Sequence, residues 1–259
     1  MRAAWLSSLA LLWFGCAPPS ARPESEAVAE RVSPARVDLS RIRLGPGVTE
    51  STLELAGGGA RSVLLWQPEG EPNSVIVFLH GAVPVGAPRP WRAPAQTRGL
   101  VECLAVPAFA ALRPIILLPR SERGEWWSRA DAEFVLGLLE AAVQRWPTAA
   151  HRKAIVGYSN GGIGTWYFAR AYPTYFDAAI PMASNDTVVG ATRLPVFAIH
   201  GENDELFSIE RVRSAIEALK SEGQDVTLLA KYRGTHLAPC GYVDELGTAA
   251  RWLSSHVWH

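Results

Sequence analysis

The chain has 259 residues, 48% hydrophobic and 19% charged, and its 25 basic residues balance 25 acidic ones. That is enough apolar material for one sizeable core, and nothing suggests a second. With zero formal net charge and no basic stripe interleaved with aromatics, nucleic acid and an anionic membrane face are poor partners.

Arg2 and the short apolar stretch Ala3 to Phe14, too brief to span a bilayer, read as an export signal over residues 1–15. Gly15-Cys16 then resembles the end of a bacterial lipobox, without the usual leucine and small residue before it. One expectation is a lipid on Cys16 and a flexible tether over 16–50, since the run from Ala17 to Pro34 is of low complexity. The other is a secreted protein cleaved within that same stretch.

The folded domain is expected over 51–259. Ser51 to Ala56 and Ser62 to Trp66 flank Gly57-Gly58-Gly59 and predict an antiparallel hairpin at a sheet edge. From residue 74 onward, apolar strand-like runs alternate with helical patterns. The pattern predicts strands over 74–79, 114–118, 153–157, 176–182, 195–200 and 226–231. Helices are predicted over 98–111, 130–146, 161–172, 208–222 and 243–256. Such alternation implies an α/β fold whose sheet is mostly parallel and covered by helices on both faces. In the second helix, Phe134, Leu138, Ala141, Ala142 and Arg145 fall near one face, as packing against a sheet requires.

The chemistry centres on Gly157-Tyr158-Ser159-Asn160-Gly161, which follows the apolar Ala154-Ile155-Val156 and opens a helix. Strand, Gly-x-Ser-x-Gly and helix describe a turn so tight that glycine is needed at its flanks, with a serine hydroxyl presented at its tip. A serine is a poor nucleophile near neutrality and needs a histidine base, which in turn needs an acid to hold its tautomer. The acid candidate is Asp204, in the loop Gly201-Glu202-Asn203-Asp204-Glu205 after a strong strand, with Glu202 and Glu205 as near rivals and Asp186 a distant one. Of the six histidines, His236 follows the acid and sits in a glycine-containing loop beyond the last strand. The backbone N–H groups of Ala82, after the strand ending His80-Gly81, and of Asn160 are the expected donors to an oxyanion. His80 reads as a structural anchor of that loop.

These residues resemble the α/β-hydrolase superfamily, carboxylesterase kind, over about residues 52–258. Ser159-Asn160-Gly161-Gly162 and the stretch from Trp126-Trp127 to Phe134 resemble, more narrowly, the polyhydroxybutyrate-depolymerase and feruloyl-esterase-like branch. The resemblance implies hydrolysis of a small or polymeric carboxylic ester through an acyl-enzyme, with no metal or organic cofactor. Trp126 and Trp127, in a strand-to-helix loop on the functional edge, are candidate walls of the substrate pocket, as is the proline-stiffened run Ala82 to Trp91. Arg89 and Arg92 are candidates to meet an acidic substrate. About a dozen residues separate Met182 from Pro195, too few for a substantial lid, so the cleft is expected to be open. In an oxidising compartment Cys103 and Cys240 either pair, pinning the histidine loop, or remain two separate thiols.

Two alternatives stand beside the esterase. A prolyl-oligopeptidase-type peptidase uses the same elbow and residue order, but no propeller precedes this hydrolase segment. A non-catalytic surface binding module has no physical need of a full Ser, Asp and His set. Oligomeric state leaves no trace in the sequence.

Overall fold

The computed structural model describes residues 32–45, 47–56, 58–82, 95–121, 124–185 and 191–259. The expected export signal at 1–15, Cys16, Arg89, Arg92, Asp186 and most of the proline-stiffened run lie outside the described residues. A single compact unit extends from Val32 to His259.

Its centre is an eight-stranded sheet in the order β1-β2-β4-β3-β5-β6-β7-β8. The strands are β1 (Gly47–Glu54), β2 (Ala60–Gln67), β3 (Ser74–Leu79), β4 (Pro114–Pro119), β5 (Lys153–Tyr158), β6 (Ala178–Met182), β7 (Val196–Gly201) and β8 (Val226–Lys231). β1 and β2 form the expected hairpin, and β2 runs antiparallel to β4; every later pairing is parallel. β3 and β4 are buried along their whole length, which is why they read as unbroken apolar runs rather than alternating ones.

Alternate residues feed two cores. Val75, Val77 and Leu79 face one layer with α3 (Arg129–Arg145), α4 (Asn160–Ala171) and α5 (Ile209–Ser221). Ile76 and Phe78 face the other, with α1 (Ala95–Leu100), α2 (Val106–Phe109) and α6 (Val243–Trp252). The fold is therefore an α/β sandwich with helices on both faces, and all parallel strands point their C-terminal ends to one rim.

Two boundaries differ from expectation. Residues 32–45, assigned by sequence to a flexible tether, are a strap packed on α3. Ala35 N–H donates to Glu133 O at 2.8 Å, Arg145 donates to the carbonyls of Leu39 and Ile42, and the Leu39 side chain is buried. Gly137 leaves no room for a Cβ beneath the Ala35 carbonyl, so the strap lies directly on the helix backbone. Proline and charge made this stretch look unstructured, yet Val37, Leu39, Ile42 and Leu44 supply apolar anchors without any periodicity.

The helix expected over 98–111 is broken as well. Between α1 and α2 the backbone widens into a π-turn, Val101–Ala105, where Val106 N–H donates to Val101 O. Pro107 explains it: a proline ring clashes with the carbonyl four residues back, and one wider turn relieves the clash.

Candidate active site

Ser159 stands at the tip between β5 and α4 with φ 57° and ψ −120°, a conformation that costs a non-glycine residue roughly 1–3 kcal/mol. The surroundings hold it there. Ser159 N–H donates to Met182 O at 2.9 Å, and its carbonyl accepts from Ile163 N–H at 3.1 Å. A Cβ at Gly157 would collide with the Gly161 carbonyl, and one at Gly161 with the Leu79 carbonyl. The flanking glycines are thus required by close backbone approach.

His236 comes from the loop after β8. Its Nε2 lies 2.8 Å from Ser159 Oγ and its Nδ1 2.9 Å from Asp204 Oδ2. Because a carboxylate only accepts, Nδ1 carries the proton, leaving Nε2 to accept from the serine hydroxyl. The Asp204 carboxylate is fully shielded, and its Oδ1 accepts from the N–H groups of Leu206 at 2.9 Å and Phe207 at 2.8 Å. Three residues that are far apart in sequence therefore meet at the rim, as expected.

The rival acids stand elsewhere. Glu202 pairs with Arg213 at 3.3 Å on the surface. Glu205 does not touch the imidazole; its Oε2 accepts from the His236 backbone N–H at 2.6 Å. Tyr158, inside the elbow motif, donates its hydroxyl to His236 O at 2.7 Å, and the Phe207 ring lies 5.5 Å from the imidazole. Burial pushes the Tyr158 hydroxyl's pKa above the ordinary phenol value, so it stays a donor. Sequence reading missed these supports because each joins segments far apart in the chain, with no periodic signal.

Of the two expected oxyanion donors, Asn160 follows Ser159 in the chain, and Ala82 follows a glycine that lies close to it. Asn160 is the first residue of α4, whose leading N–H groups have no partner within the helix. Its side-chain amide donates to the Gly124 carbonyl, tying the helix start to the loop before α3. Ala82 is exposed and follows Gly81, where a Cβ would sit 3.4 Å from Ser159 Cβ.

His80 is anchored rather than reactive. Its Nδ1 contacts Gly81 O at 2.6 Å, and its Nε2 accepts from Ser121 N–H at 3.3 Å. Burial lowers its pKa to about 4, against the opposing pull of the Gly81 carbonyl, so the ring is neutral near pH 7. Ser121 donates at 2.6 Å to Asp131, which also pairs with the buried Arg61.

Trp126 departs from expectation. It is fully buried, its Nε1–H donates to His80 O at 3.1 Å, and it packs edge-on to the His80 ring and against Gly164. It supports the loop from beneath and does not wall a pocket. Trp127 is 44% exposed at the rim. The cysteines are joined: Cys103, in the π-turn, is bonded to Cys240, just past the histidine loop.

Residues 119–236 match the dienelactone hydrolase family. Among solved structures, the fluorophosphonate-binding serine hydrolase F of Staphylococcus aureus is similar at TM-score 0.64 and 15% identity, over 81% of this chain and 99% of that one. The S-formylglutathione hydrolase of the same organism gives 0.63 and 13%, over 80% and 98%. A thermophilic esterase from Thermogutta terrifontis gives 0.59 and 18%, over 81% and 94%. With the sheet order and the elbow, these likenesses show that the chain has the α/β-hydrolase fold.

Proposed function

We propose that the protein is a serine hydrolase that cleaves carboxylic esters through an acyl-enzyme intermediate. The observation that carries this reading is the unbroken line from Ser159 Oγ through His236 to Asp204, at 2.8 and 2.9 Å. Ser159 Oγ attacks the ester carbonyl as its proton passes to His236 Nε2. Asp204 holds the Nδ1–H and stabilises the imidazolium that forms. The N–H groups of Ala82 and Asn160 take the oxyanion, and removing one such donor typically costs about 100- to 1,000-fold in rate. The imidazolium then protonates the departing alcohol, and water repeats the sequence on the acyl-enzyme.

The rim favours esters bearing an apolar group. Among the described residues, the exposed large hydrophobic side chains are Trp127, Leu206, Tyr232 and Leu237. Leu206 lies two residues past Asp204 and Leu237 follows His236, while Trp127 lies in the loop that Asn160 grips through Gly124. The narrower likeness to the polyhydroxybutyrate-depolymerase and feruloyl-esterase branch stays part of this proposal. So does export, with Cys16 lipidated or the chain secreted; the Cys103–Cys240 bond supports an oxidising compartment.

Purified protein is expected to be labelled by a fluorophosphonate at Ser159 and to turn over a short p-nitrophenyl ester. An unlabelled Ser159 would sink the reading. Acylaminoacyl peptidase of Pyrococcus horikoshii shares the fold at 15% identity, and this chain spans 42% of its length. An N-acylated peptide belongs in the same assay, and its faster cleavage would favour a peptidase.

A further inference from the structure

The imidazole of His236 is held by Asp204, but its backbone N–H and C=O are held by two other side chains. Glu205 Oε2 accepts from the His236 N–H at 2.6 Å, and the Tyr158 hydroxyl donates to the His236 carbonyl at 2.7 Å. We propose that Glu205 and Tyr158 are positioning residues, a clamp on the His236 main chain that keeps its ring between Ser159 and Asp204. The inference rests on the serine-hydrolase reading above.

The loop needs such a clamp. Tyr232, Leu237 and Ala238 are exposed, Arg233 has φ 54°, and no helix or strand includes residues 232–238. Two ring hydrogen bonds orient an imidazole but leave the Cα free to drift, because χ1 and χ2 can compensate. Holding both N–H and C=O removes that freedom.

The clamp is also built into the chain order. Tyr158, at the end of β5, immediately precedes the nucleophile and Glu205 immediately follows the acid, so each of the other two triad members has a neighbour that grips the histidine. The loops after β7 and β8 are in direct backbone contact, since Asn203 N–H donates to Gly234 O at 2.9 Å and a Cβ at Gly201 would strike that same carbonyl. Tyr242 adds a bond to the neighbouring Thr235 carbonyl at 3.1 Å. A carboxylate on an N–H makes a bond roughly twice as strong as a neutral acceptor would. Adjacent carboxylates thus divide the work: Asp204 serves the ring and Glu205 serves the backbone.

The test compares wild type with Glu205→Ala, Glu205→Gln and Tyr158→Phe. It measures kcat and KM on a p-nitrophenyl ester, the rate of fluorophosphonate labelling, and the melting temperature. Glu205→Ala is expected to lose about 10- to 100-fold in kcat and labelling rate, the scale set by a misplacement of about 1 Å. Its KM should stay within about twofold, as it touches no substrate. Glu205→Gln keeps a side-chain carbonyl to accept the N–H and should recover most of that loss. Tyr158→Phe keeps the ring and removes the other grip, so it should lower kcat without raising KM. It also serves as the deciding variant should Glu205→Ala fold poorly.

Wild-type rates in both Glu205→Ala and Tyr158→Phe would overturn the clamp, as would equal losses in Glu205→Ala and Glu205→Gln. A wild type that the probe fails to label would instead overturn the serine-hydrolase reading itself. A labelled wild type with wild-type rates in both of those variants overturns only this inference.

Discussion

Two histidines, His80 and His236, are buried on the same rim of the sheet, at 1% and 5% exposure, and their surroundings give them opposite properties. Ring nitrogens of His80 meet the backbone, at Gly81 O and Ser121 N–H. Each ring nitrogen of His236 meets a side chain, one a carboxylate that only accepts and one a hydroxyl that can give up its proton. Burial is common to both. What separates an anchor from a base is the chemistry of the two partners.

The sharpest way to break this comparison is at the hydroxyl. Ser159→Ala is expected to lower ester turnover on the order of a million-fold, with no change in melting temperature, because it removes the nucleophile and little packing. Turnover within tenfold of wild type would end the distinction drawn here. Asp204→Asn should cost about ten thousand-fold in kcat by favouring the wrong imidazole tautomer while leaving the loop geometry in place. A parallel circular dichroism spectrum would show that the fold survives.

On the anchor side the losses should appear in stability. Trp126→Ala removes a fully buried ring and the donor to the His80 carbonyl, and is expected to cost about 3–5 kcal/mol in urea unfolding. Trp127→Ala, on the exposed rim, should change stability by less than about 1 kcal/mol and act on KM for apolar esters instead. Equal effects of the two on stability would erase the contrast between support and rim.

A pH series sharpens the His80 half. Its folded pKa, about 4, lies below the ordinary value of 6.5, so the neutral ring contributes its full stability above pH 6.5. As pH falls from 6.5 toward 4 the unfolded chain binds the proton first, and up to about 3 kcal/mol is lost. Unfolding free energies of wild type and His80→Asn, measured from pH 7 to 4, should therefore converge as pH drops. Parallel curves would mean that His80 is not held neutral by burial.

Much of this was legible in the residues themselves. The elbow motif, the order Ser159, Asp204, His236 and the strand before each of them reflect local rules: a turn needs glycine, a buried strand needs an apolar run, and a reactive loop follows a strand's C-terminal end. The strap over 32–45 was not legible, since its apolar anchors follow no period and gain meaning only against α3. Trp126 was misjudged because adjacent tryptophans look alike in sequence, while the direction of each ring depends on the loop that carries it.

The sequence by itself determined which strands form, that they pair mostly in parallel, and which serine and histidine stand as candidates with a short set of acids, because each of those depends on residue type and near neighbours. Only the tertiary structure decided that Glu205 grips the backbone while its neighbour grips the ring, that Tyr158 closes the clamp, and that Cys103 and Cys240 join across 137 positions. Such contacts arise where independent loops converge in space, and hydrogen-bond partners at that distance along the chain leave no periodic mark in it.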